Sequence, residues 1–261
     1  MQIDPPQTPV VSAEDLDRLG PIRVLYVPAG DERPLGLTAV PIEEWISRAQ
    51  DSRSRFDDLD FWQDEIRKLG VGPDALTVVV DDGRMTEAAR VWFILQHFGL
   101  PATVLNGGLA ALPELPPQAL RYAGPLRLAP SAGAVGLAER EGLKRDLAGV
   151  QVFDARTAAE FRGEDLKGNA RGGHLPGAAH LSHADLLDGA QLRPAGDIAA
   201  LLDAAGIDGT RPIVSHCNGG GRAALAALAA VVAGRTDVRV YYLSFADWAA
   251  DESCPVRAPQ G

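Results

Sequence analysis

A cysteine followed by a run of glycines forms a segment of this sequence whose residue types and spacing suit nucleophilic chemistry. Residues 212–214 are an apolar run, and Cys217 follows them. Residues 219–221 are all glycine and precede Arg222, and the alanine-rich residues 223–233 predict a helix. Glycines let backbone N–H groups turn toward one point, which the positive end of the helix also faces. The pattern predicts a strand, a tight loop and a helix around a thiol that ionises readily.

The composition predicts a folded, acidic protein and narrows its function. The chain has 261 residues, of which 46% are hydrophobic, a net charge of −10 and a pI near 5.0. This hydrophobic content supports a core, and the acidic balance argues against binding to nucleic-acid phosphates. Residues 1–6 lack the features of a secretion signal, and no apolar run approaches the ~20 residues of a membrane span. We therefore expect a cytoplasmic protein that binds neither nucleic acid nor membrane.

Any cysteine chemistry in this chain must come from a single thiol. Cys217 and Cys254 are the two cysteines of the sequence, too few for a disulfide framework or a set of zinc thiolates. Cys254 lies in an acidic C-terminal segment, and we interpret it as incidental. The set of His174, His180 and His183 lacks a fourth ligand and a carboxylate pattern, so we expect no metal site.

Short apolar runs alternate with helical patterns in both halves of the chain. Strands are predicted at residues 22–27, 77–80, 102–105, 150–153, 213–214 and 238–242, and helices at 13–19, 42–49, 61–69, 87–98 and 223–233. Strands that alternate with helices imply an α/β fold built on parallel sheets.

An internal repeat relates the two halves. The aligned segments are residues 77–81 with 213–217, and residues 35–41 with 175–181. In this register Asp81 stands where Cys217 stands, so the first copy lacks the nucleophile. The second copy is also longer, through residues 163–173.

A proline-rich stretch separates the two copies. Residues 113–130 contain five prolines and little periodicity, which predicts a linker. We assign residues 1–115 to a non-catalytic N-terminal domain, 116–132 to the linker and 133–261 to a catalytic C-terminal domain.

Four blocks of the second half resemble the rhodanese superfamily in their order along the chain. They are Asp154-Ala155-Arg156 with Glu160-Phe161-Arg162-Gly163, the Gly-His-Leu-Pro-Gly-Ala run at 173–178, the loop from Cys217 to Arg222, and the aromatic, serine, acid and tryptophan pattern of 241–248. The first half keeps only residues 104–108 of the pattern, which is similar to the inactive N-terminal copy of tandem rhodaneses. The resemblance implies two rhodanese-like domains, each a mainly parallel sheet flanked by helices.

What the resemblance implies chemically is a double-displacement sulfurtransferase. The thiolate of Cys217 would attack the outer sulfur of a small anionic donor such as thiosulfate and would hold that sulfur as a covalent persulfide, without metal or cofactor. Cyanide, a thiol or a sulfur-accepting protein would then take the sulfur. The persulfide would lie in a cradle formed by Asn218, Gly219, Gly220, Gly221 and Arg222, whose inward-pointing N–H groups stabilise negative sulfur.

Loop size and loop sequence bear on the competing functions. Cysteine-dependent phosphatases and arsenate reductases place five residues between cysteine and arginine, whereas four separate Cys217 from Arg222. The loop of 3-mercaptopyruvate sulfurtransferases reads differently from Asn218-Gly219-Gly220-Gly221, so we interpret mercaptopyruvate as the less favoured donor. A persulfide carrier with little turnover of small donors is an alternative, because Gly219 stands where thiosulfate enzymes of animals carry a basic residue.

The remaining candidates have supporting roles. The thiosulfate enzymes of animals and the mercaptopyruvate enzymes place an arginine where this chain has Glu160, which leaves Arg222 to hold the donor or to brace the loop. We interpret Asp154, Arg156 and Glu160 as an ion-pair network. His174 is expected to pack in its turn, and the sequence leaves open whether His216 touches the sulfur. Trp248 is expected in the core or at a domain interface, although the family places this segment near the active-site mouth.

Overall fold

The computed structural model describes residues 8–20, 22–30, 34, 36–51, 56–112, 114 and 118–257, without the side chain of Asp17. Parts of several predictions lie outside the described residues: the start of the chain, Leu35 of the repeat, four positions of the 113–130 stretch and the last four residues. The chain divides into two compact units, Met1–Gly133 with Gly189–Gln191, and Ala134–Asp188 with Leu192–Gly261.

The first unit contains a parallel sheet flanked by helices. Its described strands are β1 (Val10–Val11), β2 (Ile22–Tyr26), β3 (Thr38–Ala39), β4 (Leu76–Val80) and β5 (Ala102–Leu105), and its α-helices are α1 (Ile42–Gln50), α2 (Leu59–Lys68) and α3 (Thr86–His97). Short 3₁₀ helices cover Ala13–Arg18 and Leu109–Ala111. The strand order is β1-β5-β4-β2-β3, and each neighbouring pair is parallel.

The second unit repeats this architecture. Its strands are β6 (Gly136–Leu137), β7 (Gln151–Asp154), β8 (Ala179–His180), β11 (Ile213–His216) and β12 (Val238–Val240), and its α-helices are α4 (Arg140–Arg145), α5 (Ala158–Phe161), α6 (Ala195–Ala204), α7 (Gly221–Val232) and α8 (Ser244–Ala250). Short 3₁₀ helices cover Leu147–Gly149 and His183–Leu186. A separate small sheet pairs β9 (Leu187–Asp188) with β10 (Gln191–Leu192).

The strand order of the second sheet is β6-β12-β11-β7-β8, again parallel throughout its pairs. Position by position, this is the order of the first sheet, with β4 and β11 at the two centres. The predicted tandem α/β fold is therefore confirmed. The shared strand order also puts the aligned segments at equivalent positions, because Asp81 follows β4 directly and Cys217 follows β11 directly.

Burial explains why the central strand and helix of the second unit read as apolar runs. Each residue of β11 is buried, as is the face of α7 from Ala223 to Ala230. Parallel strands covered by helices lose the alternation of polar and apolar residues. The small alanine side chains let α7 lie close to the sheet, and this packing fixes the loop between β11 and α7.

Strand β12 ends at Val240, two residues before the predicted end, because the chain turns after Tyr241 toward α8. The described residues of the predicted linker form backbone hydrogen bonds with the first unit. Ala119 N–H donates to the Ile22 carbonyl at 2.6 Å, and Tyr122 N–H donates to the Gly70 carbonyl at 3.0 Å, so this stretch is hydrogen-bonded along the first unit.

Within the described part of the chain, no helix has both the length and the apolar character that crossing a bilayer requires.

Candidate active site

Cys217 lies at the carboxyl end of the central strand β11, where a loop leads into α7. Cys217 is buried, with 1% of its surface exposed. The Sγ atom accepts hydrogen bonds from the N–H of Gly219 at 3.4 Å and of Gly220 at 3.1 Å. Because a backbone N–H donates a hydrogen bond and does not ionise at physiological pH, this arrangement stabilises negative charge on sulfur.

The backbone of the loop explains its glycines. Gly220 is the N-cap of α7 and has φ +98°, a conformation that side chains with a Cβ rarely adopt. This turn aims the N–H groups of residues 219 and 220 at the sulfur, while the twelve-residue helix adds the positive end of its dipole. Gly221 and Arg222 are the first two residues of that helix.

Ser244 is a further candidate residue. It is the serine of the 241–248 pattern, and it was not among the predicted site residues. Its hydroxyl accepts a hydrogen bond from the Cys217 N–H at 3.1 Å, donates to the Tyr241 carbonyl at 2.9 Å and lies 3.8 Å from the Sγ atom. Ser244 is fully buried with φ +61°, in the left-handed region that serine seldom occupies. The sequence signal was a small polar residue inside an aromatic segment; its approach to the thiol depends on the turn after β12.

We expect Ser244→Ala to lower the rate constant for alkylation of Cys217 by iodoacetamide about tenfold, because removing one hydrogen bond at a reacting group costs about 1–1.5 kcal/mol. Alanine keeps the Cβ and leaves the buried Cys217 N–H without its acceptor. The rate at which the free thiol disappears measures the effect. Ser253→Ala is the control, because the hydroxyl of Ser253 bonds to Asp251 in an exposed turn. Equal rates for the two variants would contradict the assignment.

Arg222 forms a bidentate ion pair with Glu160. The Nη1 atom lies 2.6 Å from Oε2, and the Nη2 atom lies 2.9 Å from Oε1. Burial opposes ionisation of Glu160, yet the hydrogen bonds from Arg222 lower its pKa to about 2. Burial likewise opposes the charge of Arg222, whereas Glu160 and the Cys217 sulfur raise its pKa. Arg222 therefore faces both the carboxylate and the candidate nucleophile.

Asp154, Arg156 and His216 form a buried network beneath the loop. The carboxylate of Asp154 accepts from the Arg156 Nε at 2.9 Å and from Nη2 at 2.5 Å, and it lies 3.4 Å from the Nε2 of His216. Arg156 also donates to the Gly173 carbonyl, and its guanidinium lies 3.9 Å from the centre of the Phe245 ring. These contacts join the end of β7 to the elements around it.

The side chain of His216 lies between the backbone of the loop and Asp154. The residue is fully buried, its Nδ1 lies 3.3 Å from the Cys217 carbonyl, and its Nε2 faces Asp154. Burial lowers the pKa of His216 to about 4, against the effect of Asp154. The imidazole is therefore neutral at pH 7 and bears on the loop through the backbone.

His174 and Trp248 lie apart from the sulfur contacts. The His174 ring stacks on Phe161 with centroids 3.8 Å apart, and its Nδ1 lies 3.0 Å from the Phe161 carbonyl. Trp248 is fully buried in the core cluster of the second unit and donates through Nε1 to the Pro255 carbonyl at 2.8 Å. Both residues pack the unit, and neither is brought to the Cys217 sulfur by these contacts.

The longer segment of the second copy, residues 163–173, contributes to the loop. Asn169 donates through Nδ2 to the Oδ1 of Asn218 at 2.7 Å, which holds the first residue after the cysteine. Arg171 fixes the segment by donating to four backbone carbonyls near the C-terminus, those of Trp248, Ala249, Asp251 and Cys254. The sequence indicated the insertion but not these two anchors.

In the first unit, the equivalent position holds a carboxylate in its own cradle. Asp81 is buried and accepts from the N–H groups of Gly83 at 2.9 Å, Met85 at 3.2 Å and Ala88 at 3.1 Å. Burial raises the pKa of Asp81, although these N–H groups oppose the shift. Five residues separate Asp81 from Glu87, the second residue of α3, whereas four separate Cys217 from the second residue of α7.

As for metals, no three His, Cys, Asp or Glu side chains converge as ligands among the described residues.

Comparison with known proteins places this geometry in a family. Residues 139–251 match the Rhodanese-like domain. The chain is 34% identical over 201 residues to a thiosulfate sulfurtransferase of Azotobacter vinelandii, covering 72% of each protein. It is 29% identical over 205 residues to the 3-mercaptopyruvate sulfurtransferase of Escherichia coli K12, covering 73% of this chain and 71% of the relative.

A solved structure supports the fold. The crystal structure of SseA from Escherichia coli, described as a 3-mercaptopyruvate sulfotransferase with the rhodanese fold, superposes with a TM-score of 0.71 at 24% identity. The match covers 91% of this chain and 99% of that structure. The two sheets of equal strand order and the cradled cysteine agree with the sequence relatives. The chain therefore belongs to the rhodanese family and is a sulfurtransferase.

Proposed function

We propose that the protein transfers sulfane sulfur from thiosulfate to a thiophilic acceptor through a persulfide on Cys217. The observation that carries the proposal is the position of the Sγ atom, held by two backbone N–H groups at the N-terminus of α7. This environment stabilises the thiolate before transfer and the terminal persulfide sulfur after it.

The two half-reactions balance without an external oxidant or reductant. The Cys217 thiolate attacks the outer sulfur of thiosulfate, a new S–S bond forms, and the S–S bond of the donor breaks to release sulfite. Cyanide then attacks the outer persulfide sulfur, which leaves as thiocyanate and regenerates the thiolate. A thiol acceptor would enter the same second step and yield its own persulfide.

Thiosulfate is the proposed donor for two reasons. The relative from Azotobacter vinelandii, at 34% identity, is a thiosulfate sulfurtransferase, whereas the Escherichia coli mercaptopyruvate enzyme is 29% identical. The loop from Asn218 to Gly221 also differs in sequence from the loop expected of 3-mercaptopyruvate sulfurtransferases. A second candidate is a persulfide carrier that is loaded by a partner protein. The pairing of Arg222 with Glu160 favours that candidate, since the pair carries no net charge to attract a small anionic donor.

Persulfide formation tests the proposal with the two cysteines as a matched pair. After incubation with thiosulfate, intact-protein mass spectrometry should show one added sulfur on the wild type and on Cys254→Ser, but none on Cys217→Ser. Both thiols are 1% exposed, so burial does not distinguish them.

Thiocyanate formation from thiosulfate and cyanide should likewise fall to background in Cys217→Ser and stay near the wild-type rate in Cys254→Ser. Added sulfur that persisted in Cys217→Ser would refute the nucleophile. A wild type that took no sulfur from thiosulfate, but took it from a persulfidated protein, would favour the carrier. Faster turnover of mercaptopyruvate than of thiosulfate would reassign the donor.

A further inference from the structure

We propose that Glu160 sets the affinity of the site for anionic sulfur donors by neutralising Arg222, so that Glu160 is a specificity-determining residue that acts through its partner. The inference rests on the proposed function in taking Cys217 as the reacting thiol. It goes beyond that function because it attributes the strength of donor binding to an ion pair. Among the described contacts, the carboxylate of that pair binds Arg222 and not the sulfur.

The geometry commits Arg222 to Glu160. Two charge-assisted hydrogen bonds, of 2.6 and 2.9 Å, join the planar guanidinium to both carboxylate oxygens. The Glu160 side chain is 1% exposed and that of Arg222 is 21% exposed, so the carboxylate lies behind the guanidinium with respect to solvent. An anionic donor that approaches Arg222 meets a cation whose charge is already balanced.

Charge and position make this pair relevant to the donor. Arg222 is the second residue of α7 and comes two positions after Gly220, whose N–H donates to the Cys217 sulfur. The sulfur also favours the charged form of Arg222 and so raises its pKa. Since Glu160 titrates near pH 2, the pair stays zwitterionic and close to neutral overall throughout the physiological range. Burial together with the charge of Arg222 lowers the pKa of His183, so that imidazole adds no positive charge beside the pair at pH 7.

The capping contacts of Glu160 do not require its negative charge. Glu160 is the third residue of α5 and closes a capping box: its Oε2 accepts from the Thr157 N–H at 3.1 Å, and its own N–H donates to the Thr157 hydroxyl at 3.3 Å. Glutamine serves at this position of a capping box as glutamate does. Glu160→Gln therefore keeps the helix start, removes the charge that balances Arg222, and replaces one of the two oxygens that accept from the guanidinium by an amide donor.

The test compares two alkylating reagents of nearly equal shape, the anion iodoacetate and the neutral iodoacetamide. The ratio of their rates with Cys217 reports the attraction of the site for an anion, because the fraction of reactive thiolate cancels. In Glu160→Gln we expect this ratio to rise about tenfold, as removal of a charge beside a partly buried cation predicts. The KM for thiosulfate should fall about tenfold by the same effect, while kcat changes less than about twofold.

Glu164→Gln is the matched control. It removes the same charge from an ion pair with Arg162 in which both side chains are about half exposed, and it should leave the ratio and the KM unchanged. In Glu160→Gln with Arg222→Gln, the gain should disappear. A gain that survived without Arg222 would mean that Glu160 repels the donor directly, and this would overturn the proposal.

The reagent ratio separates failure of this inference from failure of the proposed function. It needs no sulfur donor, so it remains decisive if thiosulfate proves not to be a substrate. An unchanged ratio in a folded Glu160→Gln would refute the role of Glu160.

Discussion

Replacement of Asp154 by asparagine should lower the free energy of unfolding by about 3–5 kcal/mol, because it leaves a buried guanidinium without its counter-charge. Asp154 is fully buried, and the Arg156 side chain that it binds is 2% exposed. Burial opposes the carboxylate charge, yet His216 and Arg156 lower the pKa of Asp154. Asparagine retains the shape, removes the charge and replaces one of the two acceptor oxygens by an amide donor.

Urea unfolding at pH 7 measures this change, and Asp237→Asn supplies a matched control. Asp237 pairs with Arg239 at the same spacing of two residues, but the two side chains are 51% and 44% exposed. Exposed pairs contribute about 0–1 kcal/mol, so the control should unfold almost as the wild type does. Equal losses in the two variants would mean that the buried network does not stabilise the second unit.

Acid should destabilise the protein through histidines that are buried in their neutral form, and His97 should contribute up to about 3 kcal/mol between pH 6.5 and 4. His97 is 3% exposed and packs among aromatic rings, with Phe56 and Phe98 each at 5.1 Å between centroids. Burial lowers its pKa to about 4, although Asp57 favours the charged form. Within the described part of the chain, its Nδ1 has no hydrogen-bond partner.

The direction of the effect follows from where each state takes up the proton. The unfolded chain protonates His97 near pH 6.5, whereas the folded protein resists protonation until about pH 4. Falling pH therefore favours the unfolded state across this window, and the stability present above pH 6.5 is lost. His97→Phe should remove this part of the slope in a series of urea titrations, while the part due to His216 remains. A slope identical to that of the wild type would contradict the assignment.

The fold and the nucleophile loop could be predicted because their signals are local. Buried strands such as β4 and β11 are short apolar runs, and the turn at Gly220 needs a residue that tolerates a positive φ. Helix α6 (Ala195–Ala204) was not predicted, because it carries Gly196 in its first turn and begins after Pro194 without a side-chain cap. Such a segment depends on packing more than on local pattern.

The partners of the site residues could not be predicted, because they depend on which segments meet. Glu160 and Arg222 are 62 positions apart, and Asn169 and Asn218 are 49 positions apart. Ser244 reaches the cysteine only because β12 stops at Val240 and the chain bends back toward the central strand. The sequence left open whether Arg222 holds a donor or braces the loop, and its bidentate contact with Glu160 favours bracing.

The carboxylate of Asp81 gives the duplicated architecture a second use. Three backbone N–H groups and the start of a twelve-residue helix surround it, as similar groups surround the sulfur of Cys217. An acidic side chain fixed at a helix start stabilises that helix by about 0.3–2 kcal/mol. The loop of the second unit thus surrounds the thiol of Cys217, whereas the corresponding loop of the first unit surrounds the carboxylate of Asp81. The same backbone arrangement presents a candidate nucleophile in one unit and supports the start of a helix in the other.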